Sequence, residues 1–388
     1  MKSFEMQIPT RVIFGAGSIA QISETAPLYG KKALLVTTGE DLAKAGILDR
    51  VVDLVKKSGV DIVVYKDVEP NPKTYNIDNG VRIMLESNCD FTIGLGGGSA
   101  MDTAKAIAMV AHNGGQIIDY LPGGKRANDQ ITESLPCICI TTTAGTGSEV
   151  TFFSVVTIPE TKEKPACGYP CMMAKVAIVD PELMLSVPKR VTASTGIDVF
   201  FHAMETYLSK GATPFSDMCS LEAMSLVIGN LESIYLDGTN LEGRSKLAWA
   251  NTLGGFSLMQ ALAVAIHALG HSISGITDVA HGMSLCVVAP AYLKYTWAAD
   301  IDRYAKVGYL LGADAKMSAR EAAEASGDLL KAYLKKFSLD LSLTSVGLTA
   351  DDIEKITNDS FSATRGLIDT SLRKLEKEDV KAILKMSI

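Results

Sequence analysis

Long apolar runs, basic clusters and repeats are all missing from this sequence, and each absence closes off a class of function. No apolar run approaches the ~18 residues that a membrane-spanning helix requires. The N-terminus, MKSFEMQIPT, lacks the apolar stretch of a secretory signal. Lys and Arg total 37 against 44 Asp and Glu, a net charge of −7 without any basic run, so neither nucleic acid nor an anionic membrane is expected as a partner. The seven cysteines (Cys89, Cys137, Cys139, Cys167, Cys171, Cys219, Cys286) are an odd number in a large chain and read as reduced thiols of a cytoplasmic protein. What remains is a globular composition, 47% apolar and 21% charged, which excludes general disorder. At 388 residues the chain has room for two domains, taking roughly 150 residues each as a guide.

The two halves differ in pattern. Up to about residue 185, short β-branched runs alternate with amphipathic stretches: RVIF (11–14), KALLVTT (32–38), DIVVYKDV (61–68), DFTIGLGG (90–97), ICITTT (138–143) and VAIVDP (176–181). Strands alternating with helices predict a mostly parallel sheet covered on both faces. Beyond VDPELMLSVPK (179–189) apolar stripes at helical period take over, and Ser318-x-x-Glu321 and Thr349-x-x-Asp352 mark helix starts by a side-chain cap with an acid three residues on. The expectation is an α/β domain over 1–185 and an all-α domain over 186–388, divided between Pro181 and Pro188.

Three glycine-rich turns follow predicted strands. Gly15-Ala16-Gly17-Ser18-Ile19-Ala20 mimics the dinucleotide fingerprint, with Glu40 or Asp41 as its distant acid, yet reads better as a tight turn. Gly94-Leu95-Gly96-Gly97-Gly98-Ser99 is the stronger phosphate loop, because four glycines in five positions precede a helix, TAKAIAMVA, whose N-terminal amides face an anion. It lacks the GK[ST] ending of a Walker loop. Thr141-Thr142-Thr143-Ala144-Gly145-Thr146-Gly147-Ser148 supplies hydroxyls at another strand end, suited to sugar and phosphate.

Only five histidines occur, and four fall between 202 and 281. Asp198 and His202 share a helix face at i, i+4, and His267 and His271 repeat that spacing. His281 follows beside Gly282, which predicts a turn. One such pair alone more often marks a satisfied core contact, but two pairs plus a third imidazole favour a divalent transition metal. Glu205 lies on the Asp198 face and reads as a supporting acid. His112 reads as a surface residue.

GLGGGSAMDTAKAIA, TTTAGTGSEVT, TGIDVFFHAMETYLS and HALGHSISGITDVAHG resemble, in order and spacing, the signatures of the iron-containing (group III) alcohol dehydrogenases, and the resemblance runs nearly end to end. It implies a Rossmann-like α/β N-terminal domain plus an all-α C-terminal domain, the dehydroquinate synthase-like architecture, with dinucleotide on the first and metal and substrate on the second. It implies metal ligation by Asp198, His202, His267 and His281, leaving His271 beside nicotinamide and substrate. It places the pyrophosphate on Gly97, Gly98 and Ser99 with Asp102 nearby, and matches Asn71, Thr142, Thr143, Thr146 and Lys164 to nucleotide contacts.

Where many NAD-using members carry an Asp after the second strand, this chain has Thr38, so NAD and NADP both stay open, with Glu40 or Asp41 as alternative carboxylates. Val-Ala-His stands where Pro-His is usual before His281, and Phe152-Phe153 points to an apolar aldehyde pocket. The implied activity is a metal-dependent, NAD(P)-linked interconversion of small primary alcohols and aldehydes in a homo-oligomer, with Fe(II) as the family metal and Zn(II) as its competitor. The alternatives are a glycerol dehydrogenase-like polyol oxidoreductase, a dehydroquinate synthase-like lyase, disfavoured by the lack of a basic cluster near the histidines, and a non-catalytic nucleotide- or metal-binding homologue.

Overall fold

The structure, a computed structural model, describes residues 3–388. Six parallel strands form one sheet: β1 (Arg11–Phe14), β2 (Lys32–Thr38), β3 (Asp61–Val68), β4 (Phe91–Gly96), β5 (Cys137–Thr141) and, after an antiparallel hairpin of β6 (Phe153–Val155) and β7 (Ala166–Gly168), β8 (Val176–Val179). Their spatial order is β1-β8-β5-β4-β2-β3. Every residue of β4, β5 and β8 is buried, as expected for parallel strands covered on both faces. Alternation assigns the side chains to two cores. Leu34, Val36, Cys137 and Cys139 enter one. Ala33, Leu35, Ile138 and Ile140 enter the other. All seven cysteines are free thiols.

Three longer helices cover this sheet: α1 (Ile47–Lys57), α2 (Thr74–Glu86) and α3 (Gly98–Asn113). Gly94 of β4 permits the close approach of α3, since a Cβ there would lie 2.9 Å from Met101 Cα. The chain runs from β2 outward to β3, then resumes on the other side of β2 with β4. The strand order therefore reverses between β2 and β4, and in open parallel sheets ligands bind outside the carboxyl ends of the strands at such a reversal. Residues Gln7–Pro188 form this compact α/β unit, joined by Gly238–Ala248.

The second unit, comprising Lys189–Asp237 and Trp249–Ile388, is helical. Its principal helices are α4 (Lys189–Tyr207), α5 (Pro214–Leu236), α6 (Leu241–Ala261, whose first turns fall in the α/β unit), α7 (Ala265–Thr277), α8 (His281–Thr296), α9 (Ile301–Leu310), α10 (Ala319–Lys335), α11 (Ile353–Ala363) and α12 (Lys377–Lys385). Ser318 and Glu321 form the capping box of α10, and Thr349 and Asp352 cap the 3-10 turn that leads into α11. Among the described residues no single helix is long and apolar enough to cross a membrane.

Candidate functional site

In the helical unit, α4 presents Asp198, His202 and Glu205 at i, i+4 and i+7, one face of the helix. Asp198, His202, Glu205 and His267 are 3%, 7%, 0% and 5% exposed, so this face looks into the protein. His267 and His271 lie one turn apart on α7, and His281 is the first residue of α8. The turn predicted at Gly282 occurs earlier, where Asp278 takes φ 57° and ends α7. Gly282 is instead a helix contact: a Cβ there would lie 2.0 Å from the Ser194 carbonyl oxygen of α4. Its lack of a side chain brings His281 against the α4 carboxylate.

Asp198 Oδ1 is the hub. It lies 3.8 Å from His202 Nδ1, 3.8 Å from His267 Nε2 and 4.0 Å from His281 Nε2. The donor atoms of Asp198, His267 and His281 all lie within 4.8 Å of one another. His202 stands beside this trio, its ring stacked on His267 at 4.5 Å between centroids. His271 is 5.1 Å from His281 and 6.2 Å from His267, ring to ring. Asp198 Oδ1 and His267 Nε2 are buried with no hydrogen-bond partner among the described residues. Two such atoms face each other beyond hydrogen-bond reach. Two metal–ligand bonds of about 2.1 Å at a tetrahedral angle would set donor atoms roughly 3.4 Å apart, so this set fits one divalent ion.

Burial governs the protonation of the group. It pushes the Asp198 carboxyl well up, with a smaller push from Glu205, and pushes the Glu205 carboxyl up as well. It drives the His267 imidazole down to about 3, which keeps the ring neutral and its lone pair available. Glu205 orients that ring. Its Oε1 pairs with His267 Nδ1 at 2.5 Å, while Oε2 accepts from the amides of Val264 at 2.9 Å and His267 at 3.2 Å, at the start of α7.

In the α/β unit, Thr38, Gly97, Gly98, Ser99, Thr142, Thr143 and Thr146 lie at the carboxyl ends of β2, β4 and β5. Thr38 ends β2, and its hydroxyl oxygen is 3.7 Å from where a Cβ on Gly96 would stand. Gly97 caps α3, with Gly98 and Ser99 in its first turn. A Cβ on Gly97 would meet Thr143 Oγ1 at 2.9 Å and one on Gly98 would meet Thr146 Cγ2 at 2.7 Å, so the two loops are packed face to face. Thr142 N donates to the Gly96 carbonyl at 3.0 Å and Ser148 N to Thr146 Oγ1 at 3.2 Å. Asn71 sits after β3 at φ 56°, and Lys164, buried, lies just before β7. Glu40 is exposed and paired with Lys44 at 3.2 Å.

Asp102 turns inward, accepting from Ser148 Oγ at 2.5 Å and Val155 N at 3.0 Å. The Gly15–Ala20 turn is closed by Asp180, whose carboxylate accepts from Gly17 N and Ile19 N, both at 3.1 Å. Its amides are thus occupied within the fold. Phe152 and Phe153 pack on each other at 4.5 Å and over Gly168. His112 is a surface residue, paired with Glu133 at 3.1 Å. Sequence reasoning missed Lys105, which is fully buried and bonded to the end of the third loop and to the segment after it. Its signal was a single cation on the otherwise apolar TAKAIAMVA helix.

A parallel sheet with facing glycine and threonine loops, in one chain with a helical carboxylate–histidine cluster that could hold a metal, is an architecture found among oxidoreductases. Residues 9–181 match the iron-containing alcohol dehydrogenase family and residues 192–388 match its C-terminal domain. The chain belongs to the iron-containing alcohol dehydrogenase family and is an alcohol dehydrogenase. It is 34% identical over 363 residues to a choline dehydrogenase of Bacillus subtilis, covering 93% of this chain and 89% of the other. It is 32% identical over 355 residues to an NAD-dependent methanol dehydrogenase of Bacillus methanolicus, covering 91% and 92%. Among solved structures, an alcohol dehydrogenase from an archaeal, halo-thermophilic Red Sea brine pool source superposes with a TM-score of 0.95 at 36% identity, over 100% of both chains. A 1,3-propanediol oxidoreductase does so at 0.93 and 30%, again over 100% of both.

Proposed function

We propose that the chain interconverts small primary alcohols and aldehydes by hydride exchange with NAD or NADP, using one divalent ion on Asp198, His202, His267 and His281. The observation that carries the metal assignment is the pair of buried, partnerless atoms Asp198 Oδ1 and His267 Nε2, set 3.8 Å apart. On this reading residues 1–185 form the dinucleotide-binding domain and residues 186–388 the metal- and substrate-binding domain. Relatives named for methanol and 1,3-propanediol support a short alcohol, and the apolar Phe152–Phe153 pair is consistent with an aldehyde lacking charge. Fe(II) is the family metal, and Zn(II) competes because imidazole–carboxylate sites bind it more tightly. A cytoplasmic homo-oligomer completes the reading.

When bound, the divalent ion supplies Lewis acidity toward the substrate oxygen. The chain's own residues do the rest. Asp198 contributes the one negative charge of the ligand set, and the neutral imidazoles leave the centre net positive. Glu205 fixes the His267 tautomer by pairing with Nδ1, so that Nε2 faces Asp198. The amides at the start of α3 and the hydroxyls of Thr142, Thr143 and Thr146 hold the dinucleotide phosphates and sugars, with Gly97, Gly98 and Ser99 beneath the pyrophosphate, and Thr38, Asn71 and Lys164 complete the set. His271, next to His267 and His281, passes the substrate proton to or from water, a task open to an imidazole.

The test is to mix metal-free protein with Fe(II) or Zn(II), NADH or NADPH, and butanal, and follow loss of reduced nicotinamide. Turnover that appears only with metal supports the reading. Full activity in protein stripped of transition metal would overturn it.

A further inference from the structure

Lys105 of α3 has no exposed surface. Its Nζ donates to the carbonyls of Ser148 (3.1 Å), Thr151 (3.1 Å) and Phe153 (2.5 Å) and to Ser148 Oγ (2.8 Å), and stands 3.2 Å from Asp102 Oδ1. Asp102 accepts from the same Ser148 hydroxyl and from Val155 N, and its main-chain carbonyl accepts from Ser154 Oγ at 3.0 Å. One ion pair one helical turn apart therefore binds the start of α3 to residues 148–155. That segment continues the Thr141–Ser148 loop, whose Thr143 and Thr146 lie against Gly97 and Gly98.

Stability alone does not account for a charge here. A buried ion pair is often replaced by apolar residues at no loss of stability. An apolar side chain of the same length would fill the volume beside α3 but would fix no carbonyl directions. The ammonium shares its three N–H donors among three carbonyls and a hydroxyl, and leaves the Asp102 carboxylate paired. We infer that Lys105, with Asp102, is a positioning residue for dinucleotide binding: it holds the threonine loop in register with the glycine turn, so that amides and hydroxyls from both converge on one anionic ligand. This rests on the reading of these loops as the nucleotide site, and it assigns Asp102 to shaping that site from behind.

The experiment titrates NADH and NADPH against the wild type, Lys105→Met, Ser148→Ala, Asp102→Asn and the Lys105→Met/Asp102→Asn double variant, following nicotinamide fluorescence well below each melting temperature. Bound metal is measured in the same samples. Lys105→Met should weaken dinucleotide binding by about ten- to a hundredfold and leave metal content unchanged. Ser148→Ala, which removes only the hydroxyl shared by the pair, should weaken it by roughly three- to tenfold. The double variant should bind no worse than Lys105→Met, because the two side chains act as one unit. Folded Lys105→Met and Ser148→Ala proteins with wild-type dinucleotide affinity, whatever their melting temperatures, would overturn the inference. If Lys105→Met does not fold, Ser148→Ala and Asp102→Asn decide it by the same criterion. A wild type that binds neither dinucleotide would instead overturn the nucleotide reading itself, and this inference with it.

Discussion

Glu205 pairs with Nδ1 of His267 at 2.5 Å and, with its other oxygen, accepts the His267 amide at 3.2 Å. One carboxylate thus fixes both the ring and the backbone of the same histidine across 62 positions of sequence. It also accepts the Val264 amide, so it caps α7 from a neighbouring helix, where first-turn amides without an intrahelical partner favour negative charge. The orientation leaves Nε2 of His267 directed at Asp198.

Glu205→Gln keeps the volume of that side chain and removes its charge. Metal affinity is expected to fall by about ten- to a hundredfold, the usual cost of losing a carboxylate behind a metal-bound imidazole. Dinucleotide affinity should not change, because the loops that would bind it belong to the α/β unit. Metal content after dialysis against a graded chelator measures the first, and fluorescence titration the second. Equal metal retention in the variant and the wild type would refute the role.

Metal removal should lower the melting temperature, and by more at about pH 8 than at about pH 6. The sign follows from burial. The Asp198 and Glu205 carboxyls are raised above their unfolded values, so the metal-free fold binds more protons than the unfolded chain and loses stability as pH rises above about 4. His267 is lowered to about 3, so its neutral form favours the fold most above the unfolded value of about 6.5, and that contribution is lost as pH falls. A divalent ion needs the ionised carboxylate and neutral imidazoles, so it binds with release of protons and offsets the carboxylate cost most at the higher pH. Calorimetry of metal-free and reloaded protein at both pH values checks this. A metal-induced shift that shrinks with rising pH would contradict it.

His271→Ala should flatten the pH–rate profile while metal content stays at the wild-type level. His202→Ala, by contrast, should lose metal and turnover together. The two variants separate a proton-transfer role from ligation. A His271→Ala protein with an unchanged profile would remove the relay from the mechanism.

Thr38→Asp should shift the ratio of NADH to NADPH use toward NADH by roughly tenfold, about 1.4 kcal/mol. Thr38 ends β2 beside the β2/β4 reversal, where a carboxylate accepts from a ribose hydroxyl and repels a 2′-phosphate. Paired kcat/KM values on one aldehyde decide it. An unmoved ratio would transfer cofactor choice to another residue, with Glu40 next in line.

The sequence by itself determined much of this protein. Strand runs such as FTIGL and ICIT, the glycines behind them and the two i, i+4 ligand pairs are local patterns, and local periodicity fixes which residues share a face. Resemblance then supplied the family. The tertiary structure alone decided how those faces meet. It made Asp198 the centre shared by three imidazoles from three helices, set Glu205 behind His267, and turned Asp102 inward to a buried Lys105. It also reassigned Gly282 from a turn to a contact between helices. Apart from the local pairs Asp198–His202 and Asp102–Lys105, these contacts join residues dozens of positions apart. Sequence spacing does not encode such pairings, because they arise only when buried polar groups must find partners inside a closed core.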